Sequence, residues 1–487
     1  MRRWAIRLGV ALLALLAAVV VFDLVREPPR PDYAVVQRAG VLATTPLETR
    51  GSGSCDGETR RWLVVGWDGA GWEQLLPLLD EGRLPHLATL IEAGAHGELR
   101  GFKPSLSPAL WTTVATGRSP EDHGVTGFDR HRHRLIRRWE RLTHFGKRTR
   151  ELHDNGDRRV RALWNLLDEA GRSSLIVGFH NTYPAEKIRG AMVSNWLLQA
   201  HMNEVMRAQS DVTRSFVHPE EIRPALLDLA RRTRADAARE IGRFVEFETA
   251  DVPQEWLDES AALGDEEGRW PYFVRRGWMF DAFNAEAALS LMPTIDADLT
   301  MVHFQAVDLA LHQFLYLHRP DSFDAPGWDP ATLDRLDAAR PRYSNTVTRF
   351  FEFLDAQLGR LIEAAGPGTS ILVLSDHGFE PHDDPWSSGY HDEAPPGFWV
   401  AAGPGVRQGV RAAPATLFDV FPTLAATLGL PLSDRLEGSV MEDAVCAPAA
   451  TPVADYEGST RYLPAIAPPA RLGDEVEEQL ESLGYLR

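Results

Sequence analysis

Cysteine is nearly absent, and so is lysine. Among 487 residues there are 2 cysteines, Cys55 and Cys446. Neither sits in a CxxC pair or near another ligand-like motif, which excludes a thiolate metal site built on the usual spacings. The two flank most of the chain. If that part is exported, a disulfide could tie its ends, with two free thiols as the alternative. Lys103, Lys147 and Lys187 are the only lysines beside a large excess of arginine, which reads as genomic base composition, since a preference for bidentate contacts cannot act over a whole surface. Positive charge is also lacking overall. A formal net charge of -18 argues against a nucleic-acid binder whose affinity rests on neutralising phosphates. No internal repeat is present.

Long apolar runs are equally scarce. The one exception lies at the N-terminus, where Met1-Arg2-Arg3 and Arg7 precede an uncharged stretch from Leu8 to Phe22 that meets Asp23 and Arg26. This reads as a membrane anchor with the N-terminus inside, over residues 1-26, and a cleaved signal peptide is the competing reading. Residues 27-58 read as a Pro-rich and polar linker. A catalytic domain is expected over 59-445, and 446-487 form a C-terminal tail.

Within that domain, short continuous apolar runs read as buried strands of a parallel sheet: Trp62 to Gly66, Ser174 to Phe179, Leu299 to Phe304, Ser370 to Ser375 and Gly397 to Ala402. Helical spacing appears between them, most clearly at Val347, Phe350, Phe351, Leu354, Leu358, Leu361 and Ile362. From about 200 to 294 the pattern changes to long helices rich in Arg, Ala, Glu and aromatics, read as an inserted lobe.

Polar residues stand just past several of these strands, at the edge where open α/β sheets place their sites. Asp68 follows the first strand. Asp308 and His312 follow another, and their four-residue interval puts both on one face of a helical turn. Asp376 and His377 end a third, where Gly378 permits the sharp turn that two adjacent ligands of one ion need. A hydroxyl between prolines, Ser107 in Lys103-Pro-Ser-Leu-Ser107-Pro, stands at the mouth of a helix-like segment and is the candidate nucleophile. Alone, each of these is as well explained by a turn or cap. A basic island from Arg130 to Arg150 reads equally well as an anion-recruiting rim and as a solvated face.

In this order, Val64-Val65-Gly66-Trp67-Asp68-Gly69, the Ser107 stretch, Asp308-Leu-Ala-Leu-His312, Ser375-Asp376-His377-Gly378 and His391 resemble the alkaline phosphatase superfamily, most closely its type I phosphodiesterase/nucleotide pyrophosphatase branch. The resemblance runs from about Trp62 to Gly438 and also takes in Thr182-Tyr-Pro184-Ala-Glu186. It implies a three-layer α/β/α sandwich with a mainly parallel sheet, and two divalent metal ions. One ion would take Asp308, His312 and His391, the other Asp68, Asp376, His377 and the oxygen of Ser107. His391 is preferred to His382 because the family places its last His shortly before a strand, while His303 and His318 are read as structural. The mixed N/O ligand set suits zinc, with manganese or iron as alternatives.

The implied activity is hydrolysis of a phosphate ester, monoester or diester, through a phosphoseryl intermediate on Ser107. Nucleotide pyrophosphatases hold the phosphate with an Asn whose matching place here is near Phe128, so a nucleotide substrate does not follow. Other readings are a sulfatase, for which neither Ser105 nor Ser107 has the required Pro and Arg, a phosphotransferase, and an inactive surface-binding protein on this fold. The implied location is outside the cytoplasm, periplasmic or extracellular, with no nucleic-acid partner and no implied oligomeric state.

Overall fold

In a computed structural model the described residues are 33–37, 40–43, 53–128, 153–195, 197–198, 216–247, 270–323, 327–393 and 395–458. The anchor segment, the basic island and the end of the tail lie outside them. Among the described residues no helix is long and apolar enough to cross a membrane.

The apolar runs become a ten-stranded sheet. Its strands are β1 (Trp62–Trp67), β2 (Ala95–Arg100), β3 (Ser174–Val177), β4 (Gly190–Val193), β5 (Val217–His218), β6 (Leu299–Phe304), β7 (Ser370–Leu374), β8 (Gly397–Ala402), β9 (Val410–Arg411) and β10 (Ala415–Thr416). Their order is β9-β2-β8-β7-β1-β6-β3-β4-β5, with β10 beside β2. The central run β7-β1-β6-β3 is parallel, with Val64 opposite Met301 and Leu372. β8 runs antiparallel to both β7 and β2. The start of β8 therefore meets the same sheet edge as the ends of the parallel strands.

Every residue of β1 is buried, as the unbroken apolar run requires when both sheet faces are covered. Successive side chains alternate between two cores. Leu63, Val65 and Trp67 face a layer containing α1 (Trp72–Asp80) and α2 (Pro85–Ala93). Trp62 and Val64 face α3 (Ser107–Thr116) and α4 (Leu163–Glu169). The lobe segment is helical, with α5 (Arg223–Glu240) and α6 (Trp270–Leu291). However, α6 buries Val274, Phe280, Phe283 and Ala287 in the first core, so this helix belongs to the sandwich. The same layer holds α7 (Ala306–His318), α8 (Pro330–Tyr343) and α9 (Thr346–Ala365), while α10 (Leu417–Thr427) joins the second.

Both ends of the expected domain need correction. The linker was expected to be a spacer, yet Val36 donates its N–H to Gly101 O and Val35 bridges Phe102. Leu42 is buried in the first core. Apolar residues among the prolines have found places in the fold, which the overall polarity of the stretch concealed. At the other end, Cys446 forms a disulfide with Cys55, and Pro452–Val453 pairs in parallel with Leu432–Ser433. Residues to at least 458 thus belong to the domain.

Candidate metal centre

The strand order explains why residues so distant in sequence meet. Asp68 leaves the end of β1, Asp376 and His377 the end of β7, and α7 carries Asp308 and His312 away from the end of β6. Ser107 begins α3, beyond the end of β2, and His391 precedes β8. All of these lie at one edge of the sheet. The structure thus gathers every site residue expected from the sequence, and each is at least nine-tenths buried.

Asp68 is the hub. Its Oδ1 lies 3.3 Å from Ser107 Oγ and 3.4 Å from His377 Nε2. His377 Nε2 is 3.6 Å from Asp376 Oδ2 and 4.0 Å from Asp308 Oδ1. His312 Nε2 is 3.6 Å from Asp308 Oδ1, one helical turn away. The rings of His377 and His391 stack with centroids 3.9 Å apart, and His312 stands edge-on to His391 at 5.0 Å. Asp308, His377 and His391 can also be grouped as one candidate set, within 4.8 Å of one another. The shorter contacts favour assigning His377 to Asp68 and Asp376.

These carboxylate–imidazole separations are too long for hydrogen bonds. They match a different geometry. In a tetrahedral zinc site with bonds of about 2.0–2.2 Å, neighbouring ligand atoms lie roughly 3.3–3.6 Å apart. Asp376 Oδ2 and His377 Nε2 are buried and lack any hydrogen-bond partner among the described residues, which is costly unless a cation satisfies them. Two of the imidazoles are also oriented from behind. His312 Nδ1 is 3.0 Å from Gly389 O and His377 Nδ1 is 3.1 Å from Gly378 O, leaving both Nε2 atoms turned inward. The residues fit divalent metal ions.

Charge supports the same conclusion. Burial would raise Asp68, but the neighbouring imidazoles of His180, His303 and His377 hold it well below the usual carboxylate range. Asp376 is pushed well above that range by burial and then by the charges of Asp68 and Asp308. Burial, with His377 next, lowers His312 to about 3, and burial likewise drives His391 well below the usual imidazole value. Neutral imidazoles facing crowded carboxylates are what a cation needs.

Local chain geometry makes this approach possible. Ser107 opens α3 with Pro108 in its first turn, and Gly117 ends that helix in the left-handed region at φ 65. No side chain caps α3, so the cap explanation for Ser107 does not hold, and its Oγ faces Asp68 instead. Ser105 Oγ donates to Phe102 O, an ordinary turn contact. Trp111 Nε1 donates to Asp68 Oδ2 at 2.9 Å. It reaches there across Gly66, where a Cβ would lie 2.6 Å from the indole. Gly69 has φ +74, and a Cβ there would lie 3.0 Å from Asp308 Cα.

Two histidines were missed. His303, expected to be structural, has its Nε2 3.1 Å from Asp68 Oδ2, and His180 Nε2 is 3.6 Å from the same atom. The signal for His303 was an ionisable residue inside a fully buried strand. His318 is structural as expected, its Nδ1 3.3 Å from Ser344 O. His382 stacks on Tyr390 outside the cluster. The Thr182–Glu186 motif also gains a role. Glu186 accepts from Arg158, Trp164 and Asn165, anchoring the chain that follows β3.

A family model described as type I phosphodiesterase / nucleotide pyrophosphatase matches residues 62–396. No curated protein matches the chain significantly. Among solved structures, murine ectonucleotide pyrophosphatase/phosphodiesterase 5 is 13% identical with a TM-score of 0.42, covering 79% of this chain and 100% of that one. A 2-O GAG sulfatase is 11% identical with a TM-score of 0.41, covering 79% and 74%. Phosphonoacetate hydrolase from Sinorhizobium meliloti is 16% identical with a TM-score of 0.34, covering 72% and 61%.

Proposed function

We propose that this chain, which belongs to the type I phosphodiesterase/nucleotide pyrophosphatase family of the alkaline phosphatase superfamily, is a metal-dependent phosphoester hydrolase that works through Ser107. The observation that carries the reading is the set of buried carboxylate–imidazole separations of 3.4 to 3.6 Å, too long to be hydrogen bonds and suited to shared metal ligation. Asp308, His312 and His391 would hold one divalent ion. Asp68, Asp376, His377 and the oxygen of Ser107 would hold the other. Two such ions supply positive charge that stabilises the attacking and leaving oxygens of an in-line displacement, and the N/O ligand set suits zinc.

The chain's own residues do the rest. Ser107 Oγ–H points at Asp68 Oδ1, so the ionised carboxylate lies where the hydroxyl proton must leave. Trp111 keeps Asp68 turned toward Ser107 by occupying its other oxygen. Ser107 Oγ then attacks phosphorus, the ester oxygen departs, and a phosphoseryl enzyme forms. Attack by water on that phosphorus restores Ser107 and releases phosphate, or a phosphomonoester if the substrate was a diester. A phosphoryl group on Ser107 would sit at the start of α3, where the positive end of the helix dipole favours its charge.

The Cys55–Cys446 disulfide fits an oxidising compartment, periplasmic or extracellular. The test is a panel of phosphomonoester, phosphodiester and sulfate-ester substrates on the metal-loaded enzyme and on Ser107→Ala. Phosphoester turnover that falls at least about a thousandfold in the variant supports the reading. Sulfate-ester turnover alone, or full activity in the variant, sinks it.

A further inference from the structure

Away from the metal centre, a cavity of about 650 Å³ opens where the segment after α5 crosses the end of α8. Phe247, Trp270, Ala339 and Tyr343 line it, together with the side chains of Arg335 and Arg342. Its size falls within the range of small-molecule sites, about 300–1,000 Å³. The crossing segment is fastened on both sides of the cavity. Glu246 N donates to Arg342 O at 3.0 Å, Thr346 Oγ1 donates to Phe244 O at 2.9 Å, and Phe244 stacks on Phe350 at 4.3 Å. The cavity is therefore built into the fold, and α7 separates it from the metal ligands. On that helix His312 meets the rings of Phe379 and His391 at 4.9 and 5.0 Å. Phe314, about half a turn on, meets Trp270 at 5.7 Å and stacks on Tyr343 at 5.4 Å.

Two polar groups here are not used by the protein itself. Trp270 is 1% exposed, yet its Nε1–H has no hydrogen-bond acceptor. Buried indoles usually find one. Arg342 has no acidic partner among the described residues, because Glu246, the one acid lining the cavity, is taken by Arg349. Arg335 is held with its guanidinium 4.4 Å over the ring of Trp386. The lining thus combines an aromatic surface with an excess of positive charge.

We propose that this cavity binds an apolar carboxylate, an alkyl or aryl group carrying a single negative charge. The apolar part would lie against Phe247, Trp270 and Ala339, leaving the carboxylate to Arg342 and the indole N–H. A guanidinium suits a carboxylate because its planar fork can donate to both oxygens. One guanidinium free of acids and one neutral N–H match a monoanion with two oxygens, whereas a dianionic phosphate calls for more donors and more charge. A neutral ligand would leave Arg342 unused, and a cationic one would be repelled by both arginines.

The proposal does not rest on the phosphoester reading, since binding is measured without turnover. Isothermal titration calorimetry on the metal-loaded protein compares phenylbutyrate with phenylbutanol and phenylbutylamine, which keep the apolar part and change the charge. The expected result is one phenylbutyrate per chain, phenylbutanol at least about tenfold weaker and no measurable binding of phenylbutylamine. Arg342→Gln should reduce phenylbutyrate to the affinity of the alcohol. Trp270→Phe keeps the aromatic packing and removes the N–H, so it should weaken phenylbutyrate several-fold with unchanged circular dichroism. Should Trp270→Phe fail to fold, the half-exposed Arg342 decides alone. Equal phenylbutyrate affinity in wild type and Arg342→Gln would put the ligand elsewhere, such as on the metal ions, and overturn the proposal. So would a preference for the alcohol or the amine, or no binding at all.

Discussion

Asp281 is a buried acid far from the proposed ligands in sequence, yet it is a positioning residue for two of them. Its Oδ1 accepts from Gln305 N at 2.8 Å and its Oδ2 from Ala306 N at 2.9 Å, at the start of the helix that carries Asp308 and His312. Helix starts leave N–H groups without intrahelical partners, and this one is buried, so solvent cannot replace the carboxyl group. Asp281→Ala would leave both N–H groups unsatisfied at about 1–3 kcal/mol each, so the domain should lose roughly 2–6 kcal/mol. Asp281→Asn keeps one acceptor and turns an NH2 toward the other donor, for a loss of about 1–3 kcal/mol.

The pH dependence has a definite sign. Burial pushes Asp281 up to about 8, although the two N–H donors pull it down. The folded state therefore binds more protons than the unfolded state between its unfolded value and about pH 8, and stability falls as pH rises through that window. The slope approaches about 1.4 kcal/mol per pH unit near neutrality. Urea denaturation from pH 5 to 8 would measure both effects. The wild type should lose stability steadily toward pH 8, and Asp281→Asn should lack that component. A shift under about 0.5 kcal/mol for Asp281→Ala, or identical pH slopes, would refute the reasoning.

Further outcomes follow from single contacts. Gly69→Ala demands a left-handed alanine and drives a Cβ to 3.0 Å from Asp308 Cα, so kcat/KM should fall on the order of a hundredfold while far-UV circular dichroism stays native. Trp111→Phe removes the hydrogen bond to Asp68 Oδ2, and chelator competition should show metal affinity about 10–100-fold weaker. Cys55→Ser opens a loop spanning 391 residues and should cost about 2–5 kcal/mol in denaturant unfolding. Reducing agent should destabilise the wild type similarly and leave the variant unchanged.

Much of the fold was legible because parallel strands buried on both faces must be continuous apolar runs. β6 and β8 fall at the boundaries such runs define, Leu299–Phe304 and Gly397–Ala402. The ligands were legible because carboxylates and imidazoles stand just past those runs. Their partition needed spatial information that spacing cannot carry, since His377 lies between Asp68, Asp376 and Asp308. His303 was misread because a histidine inside a strand resembles a core residue until the register sets it opposite Gly66, two residues before Asp68. His180 has no sequence pattern at all. It acquires its place only from the left-handed turn at Asn181 and the parallel pairing of β3 with β6. The linker failed for a related reason: a few apolar residues among prolines dock on strands that are remote in sequence.

The central claim is that Ser107 carries the phosphoryl group between two displacements. Metal-loaded enzyme turning over a phosphoester, quenched in acid and digested, should yield the peptide containing Ser107 with the added mass of one phosphoryl group, in an amount that saturates with substrate. Continued turnover with that peptide unmodified, or with the phosphoryl group on another residue, would contradict the account.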